Sequence, residues 1–206
     1  MRPWIPNAIS VLRIALVPVW LALAFQARHV ALSGGKPSPL GPILVLIAIG
    51  VSDIVDGTLA RRFRLETNWG ATLDAIADKL AQISTVTFLA LLGPPAFTAL
   101  PVWLMVSLAS RDVLLAVGWW AVHRKRGSVA AEHRWHGKAS SLLLFSLVVG
   151  ALAGAPPSLV LFGSIAALIL VVPSTIAYLL NGWRQLQGDS VERASRDLAR
   201  PSKQAG

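Results

Sequence analysis

Six long apolar segments, separated by short polar connections, constrain this chain more than any other feature. They lie near residues 5–26, 40–60, 70–93, 97–122, 138–154 and 157–180. A helix needs about 20 mostly apolar residues to cross a bilayer, and most of these segments reach that length. Hydrophobic residues make up 54% of the 206 residues, more than a water-soluble domain of this size could cover. The sequence therefore predicts an all-α, polytopic membrane protein with six transmembrane helices.

The positions of the basic residues predict how these helices are oriented. The net charge is +9, and most lysines and arginines gather around the 61–69 and 123–137 connections and after residue 183. Only Arg28 and Lys36 fall on the opposite side. Because Lys and Arg mark cytoplasmic loops facing anionic lipid, both termini are predicted to be cytoplasmic, and nucleic acid is not the expected partner.

The domain organisation is predicted to be simple. Residues 1–182 form one membrane domain, and residues 183–206 form a polar cytoplasmic tail that is either a short surface helix or disordered. Arg13 interrupts the first apolar segment, which favours a retained helix over a cleaved signal peptide. The sequence has no cysteine, so disulfides and thiolate metal sites are excluded.

Four aspartates stand at the adjoining ends of the second and third apolar segments. Asp53 and Asp56 are three residues apart and share a helix face, as do Asp74 and Asp78, which are four apart. A carboxylate within a membrane span costs roughly 2.5 to 3.5 kcal/mol on insertion scales and usually marks a functional site. The two helices are predicted to be antiparallel neighbours whose acidic faces converge at the cytoplasmic side.

This group of carboxylates suits a hard divalent cation. Mg²⁺ binds a few carboxylates together with substrate phosphates, and a spare carboxylate can accept a proton from an attacking hydroxyl. Two alternatives remain: ion pairs of the acids with Lys79, Arg61 and Arg62, or a cation pathway through the membrane. The pathway is disfavoured because acids for conduction would be spread through the depth of the membrane.

The acidic segment resembles the signature of the CDP-alcohol phosphatidyltransferases, D-x-x-D-G-x-x-A-R, eight residues, then G-x-x-x-D-x-x-x-D. Its fixed positions are Asp53, Asp56, Gly57, Ala60, Arg61, Gly70, Asp74 and Asp78. The resemblance implies an enzyme of phospholipid biosynthesis in the bacterial inner membrane, often a homodimer, with its active site facing the cytoplasm. Such an enzyme transfers a phosphatidyl group from CDP-diacylglycerol to an alcohol and releases CMP.

The same resemblance implies the roles of individual residues. Asp53, Asp56 and Asp74 would bind one or two Mg²⁺ or Mn²⁺ ions, with Asp78 completing the acidic site as the general base. The residues expected around the cytidine and its phosphates are Gly57, Ala60, Arg61 and Gly70.

The N-terminal run from Pro6 to Arg13 also resembles this family, in which P-N-x-[IL]-[ST]-x-x-R opens the first helix. Asn7 and Arg13 are therefore expected at the CDP-lipid site, where Arg13 would meet a phosphate or one of the aspartates. Two alternatives stay open: Asn7 caps the helix, and Arg13 extends to the membrane interface.

Two further short runs bear on the identity of the acceptor alcohol. The run Ser110-Arg111-Asp112-Val113 and the later Gly137-Lys138 are similar to cardiolipin synthases of this superfamily, whose acceptor is phosphatidylglycerol. Arg111 and Lys138 are predicted to bind the acceptor phosphate, with an Arg111–Asp112 ion pair as the structural alternative. Glycerol-3-phosphate, the acceptor of phosphatidylglycerophosphate synthases, is the first alternative. A membrane transporter is the alternative of another class, although no internal repeat is visible.

Overall fold

The computed structural model describes residues 4–63, 68–126 and 136–198, which form six α-helices and no β-strand. The all-α prediction is confirmed for these residues. The helices are α1 (Trp4–Leu32), α2 (Leu40–Phe63), α3 (Asn68–Leu91), α4 (Val102–Arg126), α5 (His136–Leu152) and α6 (Pro157–Leu198).

The fourth helix begins later than predicted. The sequence placed its start near residue 97, whereas α4 begins at Val102, directly after Pro101. Proline lacks a backbone N–H and fits the start of a helix better than its interior. The preceding connection instead binds the α5–α6 turn, where Thr98 donates its backbone N–H to the Ala151 carbonyl at 3.1 Å and its hydroxyl to the Ala155 carbonyl at 2.7 Å. This connection therefore closes one end of the helix bundle.

The last helix is longer than the predicted sixth span. The backbone of α6 stays helical from Pro157 to Leu198 and includes Pro173. Of the two alternatives for the tail, helix is thus the one observed over residues 183–198. The division of the chain at residue 182 stays a prediction.

Glycines with positive φ end two of the helices. Gly34 and Gly154 both have a φ of 78°, a backbone conformation that a residue without Cβ adopts at little cost. In each case the next backbone N–H bonds back to a carbonyl of the helix at 2.9 Å, which satisfies an end group of the helix. These bonds join Gly35 to Val30 and Ala155 to Gly150.

Helix α1 lies between the two helices that carry the aspartates. It packs against both α2 and α3, whereas the described residues show no comparable packing of α2 on α3. Edge-to-face aromatic contacts fix part of this core: the Trp20 and Phe88 ring centroids are 5.6 Å apart, and those of Phe88 and Phe97 are 6.3 Å apart. The sequence predicted that α2 and α3 are direct neighbours; most of the residues at the two helix ends where they would meet lie outside the described side chains, so this stays a prediction.

The outer surface of the bundle is strongly apolar. Leu44, Val113, Leu142, Phe162 and Ile169 are each more than 60% exposed, which would be costly in water. Among the described helices, the part of α1 from Ser10 to Leu32 is long and apolar enough to span a membrane by length and composition. The apolar parts of three others are shorter: Leu40–Asp53, Ser140–Leu152 and Pro157–Pro173.

A pair of glycine substitutions tests the packing at the closed end. A Cβ on buried Gly93 would lie 2.7 Å from the Leu89 carbonyl oxygen, whereas a Cβ on Gly150 would meet only the Ala155 methyl at 3.7 Å. We expect Gly93→Ala to destabilise the fold by about 1–3 kcal/mol, because backbone must move. Gly150→Ala, on α5, should be neutral or stabilising by up to about 1 kcal/mol. Unfolding midpoints in detergent measure both, and equal midpoints would contradict this packing.

Candidate active site

Arg13 belongs to the buried face of α1. Its side chain is 1% exposed, and the buried residues Val17, Trp20 and Ala24 follow it at helical spacing. A buried charge is stable only when it is paired and hydrogen-bonded. The partners of this guanidinium are therefore central to how α1 packs.

The Arg13 guanidinium joins three helices. Its Nη1 donates to Asp74 Oδ1 on α3 at 2.6 Å and lies 3.1 Å from Asp53 Oδ1 on α2. Its Nε is 3.4 Å from Ser52 Oγ, and that hydroxyl donates to the Ile49 carbonyl at 2.7 Å. The other terminal nitrogen, Nη2, is buried and has no hydrogen-bond partner within the described part of the chain.

Two of the four predicted acidic residues, Asp53 and Asp74, meet at this point, and a third, Asp78, lies within electrostatic range. Asp53 and Asp74 share one nitrogen of Arg13, and the Asp78 carboxylate interacts electrostatically with both of them and with Arg13. The fourth, Asp56, lies one turn further along α2, and its side chain is outside the described residues. The predicted convergence of the two acidic faces is thus seen for Asp53, Asp74 and Asp78, with Arg13 between the helices.

The chemistry of this cluster fits a divalent cation. The two carboxylates that share the Arg13 guanidinium, Asp53 and Asp74, are 50% and 44% exposed, so an ion can reach them. Carboxylate oxygens are the ligands that Mg²⁺ and Mn²⁺ prefer. Among the described side chains, no three acids or histidines stand close enough to hold an ion on their own. A complete site would therefore draw on Asp56 or on substrate phosphates as well.

The other predicted site residues stay predictions. Gly70 lies in the first turn of α3, and Arg111 is in the middle of α4. Five more lie on the backbones of α1, α2 and α5, but their surroundings are outside the described residues; they are Asn7, Gly57, Ala60, Arg61 and Lys138.

A second ion pair, absent from the sequence analysis, joins α3 to α4. Lys79 Nζ donates to Asp112 Oδ1 at 2.7 Å and to Gln82 Oε1 at 3.2 Å. Arg111 Nη1 is further from the same Asp112 oxygen, at 3.8 Å. The Arg111–Asp112 ion pair, given above as the structural alternative, is thus present at the longer distance, with Lys79 as the nearer partner of Asp112.

The sequence contains two isolated charged residues that indicate this contact. Lys79 is the one lysine of α3, and Asp112 is the one acidic residue of α4. Opposite charges on largely apolar helices usually pair with each other, because a buried charge without a partner is costly. The pairing could have been inferred from these two residues, although their facing positions depend on how α3 packs on α4.

A double-mutant cycle tests the Lys79–Asp112 pair. Lys79→Gln and Asp112→Asn should each lower stability, and the double variant should lose less than the sum of the two. We expect a coupling of about 0.5–2 kcal/mol, because Lys79 is partly exposed and its ion pair is partly screened. Unfolding midpoints in detergent give the coupling. Strict additivity of the two losses would show that these side chains do not interact.

Comparison with known proteins covers nearly the whole chain. The family model described as CDP-alcohol phosphatidyltransferase matches residues 3–184. The cardiolipin synthase (CMP-forming) of Streptomyces coelicolor is 36% identical over 140 residues, which cover 68% of this chain and 60% of that protein. The match thus spans about three fifths of the length of this relative.

Two further relatives carry a different name, CDP-diacylglycerol--glycerol-3-phosphate 3-phosphatidyltransferase. The one from Pectobacterium atrosepticum is 32% identical over 150 residues, 70% of this chain and 76% of that protein. The one from Haemophilus influenzae is 27% identical over 193 residues, 93% of this chain and 94% of that protein. The family match extends from the start of α1 into α6 and includes Arg13 and all four aspartates, so the chain belongs to the CDP-alcohol phosphatidyltransferase family.

Proposed function

We propose that this protein transfers the phosphatidyl group of CDP-diacylglycerol to phosphatidylglycerol and releases CMP, as a step of phospholipid biosynthesis. The observation that carries the proposal is the meeting of Asp53 and Asp74, from two helices, on one buried guanidinium. This arrangement concentrates negative charge at one end of an apolar bundle, which is what a cation-dependent site for a diphosphate substrate requires.

The proposed setting is the bacterial inner membrane. All six helices would cross it, with both termini and the aspartate cluster on the cytoplasmic side, and the protein would act as a homodimer. The exposed apolar side chains on the outer surface support a lipid environment. The uneven distribution of Lys and Arg between the connections supports the orientation.

The proposed metal site is formed by Asp53, Asp56 and Asp74, with Asp78 beside them. Bound Mg²⁺ or Mn²⁺ would neutralise the diphosphate of the substrate and favour departure of CMP. Transfer of a phosphoryl-type group depends more on alignment and charge neutralisation than on covalent chemistry by the protein. The residues proposed to surround the CDP group are Asn7, Arg13, Gly57, Ala60, Arg61 and Gly70.

Asp78 is the proposed general base. The acceptor hydroxyl attacks the β-phosphorus while Asp78 takes its proton, and a new phosphorus–oxygen bond forms. The bond from the β-phosphorus to the oxygen bridging to CMP breaks, and CMP leaves with that electron pair. The Asp78 side chain is exposed, so a substrate hydroxyl can reach it.

Arg111 and Lys138 are proposed to bind the phosphate of the acceptor. Arg111 is 22% exposed, and its nearest described acid, Asp112, lies closer to Lys79. Its Nε is buried without a partner among the described residues, so the guanidinium keeps hydrogen-bonding capacity for an anion. Phosphatidylglycerol and glycerol-3-phosphate both carry such an anion. The Streptomyces relative favours the first acceptor, and the Pectobacterium and Haemophilus relatives favour the second.

The base assignment is tested by Asp78→Asn. Purified protein with CDP-diacylglycerol, Mg²⁺ and the acceptor should release CMP, and the substitution should lower this rate about 100-fold or more, because no carboxylate remains to take the proton. Asp197→Asn, the same chemical change near the end of α6, is the matched control and should keep full activity. Normal turnover by Asp78→Asn would show that the base is another group. Failure of the unaltered protein with every acceptor would favour the transporter alternative.

The acceptor is tested by offering the two alcohols separately. With phosphatidylglycerol, mass spectrometry of the lipid product should show cardiolipin, whereas glycerol-3-phosphate should give little or no phosphatidylglycerophosphate. Arg111→Gln should raise the KM for the acceptor more than the KM for CDP-diacylglycerol, since Arg111 is placed at the acceptor phosphate. Phosphatidylglycerophosphate as the main product would assign the protein to the alternative acceptor.

A further inference from the structure

We propose that Arg13 and the divalent cation compete for the same carboxylates, and that Arg13 changes partner when the cation binds. Without the cation, its guanidinium neutralises Asp53 and Asp74. With the cation bound, those carboxylates become metal ligands and the guanidinium binds the diphosphate of the substrate. This inference rests on the proposed function and assigns Arg13 two successive roles at the same site.

The first step of the argument is the position of Nη1. It lies within 3.1 Å of a carboxylate oxygen from α2 and another from α3, so it stands where the two acids converge. A cation that used those two oxygens would meet a positively charged nitrogen in contact with both. Two positive charges at such short range repel strongly in a partly buried site. Binding of a cation through these two oxygens therefore requires Arg13 to give up its contacts with them.

The second step is the unpaired Nη2. The Arg13 side chain is 1% exposed, yet this nitrogen has no partner among the described residues. A buried donor without an acceptor costs about 1–3 kcal/mol, so some other acceptor is expected in the working state. Arginine binds phosphate oxygens through two parallel N–H groups, and a diphosphate beside the aspartates would supply them.

The guanidinium of Arg13 and its two carboxylate partners lie on three different helices, and the carboxylates are open to solvent. Arg13 is held by α1, whereas both carboxylates belong to α2 and α3, and its Nε contact to Ser52 is long at 3.4 Å. Exposure of the two aspartates by 50% and 44% leaves room for a cation to approach.

A purely structural Arg13 would behave differently. If the residue served only to tie α1 to its neighbours, its loss would loosen the site and weaken the binding of cation and nucleotide together. If Arg13 competes with the cation, loss of Arg13 should strengthen the binding of the cation and weaken the binding of the nucleotide. The two possibilities are therefore separated by measuring both ligands on the same variant.

The first measurement is Mn²⁺ binding by electron paramagnetic resonance, on the purified full-length protein in detergent without substrate. Arg13→Gln should bind Mn²⁺ roughly fivefold to tenfold more tightly than the unaltered protein, the size expected for removing one competing ion pair. Arg28→Gln makes the same chemical change on the same helix, fifteen residues from Arg13, and its Mn²⁺ affinity should stay within about twofold. Unchanged or weaker Mn²⁺ binding by Arg13→Gln would overturn the inference.

The second measurement is binding of CDP at saturating Mn²⁺. Arg13→Gln should bind CDP about tenfold more weakly, because a charged donor to the diphosphate is lost. CDP affinity equal to that of the unaltered protein would overturn the second role. Should Arg13→Gln fail to fold, Arg13→Lys replaces it, since lysine keeps the charge but lacks the planar fork. Arg13→Lys should also weaken CDP and should not weaken Mn²⁺, and loss of both affinities would overturn the inference.

The assay for CMP release separates this inference from the proposed function. If the unaltered protein releases CMP while Arg13→Gln shows no gain in Mn²⁺ affinity, only the inference about Arg13 is overturned. If the unaltered protein releases no CMP with either acceptor, the proposed function fails. The change of partner to a substrate diphosphate then fails with it, even if Mn²⁺ and Arg13 compete.

Discussion

A guanidinium buried among helices must be neutralised, and that requirement organises one end of this protein. Arg13 lies on the buried face of α1 and meets its two acids on α2 and α3, so α1 has to pack against both of those helices. The same contact places Asp53 beside Asp74, with Asp78 in electrostatic range. Neutralisation of the Arg13 guanidinium therefore determines both the packing of these helices and the geometry of the site. Asp53 and Asp74 share one nitrogen of Arg13 and remain about half exposed, so both stay open to a further cation.

The two ends of the bundle are built from different interactions. Around Arg13 and the Lys79–Asp112 pair, the helices are joined by charged groups that are partly exposed. At the other end, aromatic rings and the hydrogen bonds of Thr98 hold the connection 93–101 against the α5–α6 turn. Apolar packing and fully used hydrogen bonds resist rearrangement, whereas exposed ion pairs can be exchanged for other charges. This division suits a protein that binds charged ligands at one end only.

Much of the fold could be predicted from the sequence, because hydrophobic segments and their breaks follow local rules. Each of the six apolar segments contains one helix, although α4 begins later and α6 ends later than predicted, and the spacing of Asp53 with Asp74 and Asp78 pointed to one cluster. The packing of α1 on both α2 and α3 could not be predicted, since it depends on which side of the bundle Arg13 faces. The start of α4 was missed because an apolar run continues through Pro101. The Lys79–Asp112 pair needed the relative rotation of α3 and α4.

The order in which the helices are synthesised gives the Arg13 contacts a further consequence. Asp74 follows Arg13 by 61 residues in the chain, so α1 leaves the ribosome well before its strongest partner exists. A charged residue in a membrane helix is costly until it is paired. Insertion of α1 and burial of its arginine are therefore separate events during biosynthesis, and the N-terminal half of the protein reaches its final packing only after α3 has been made.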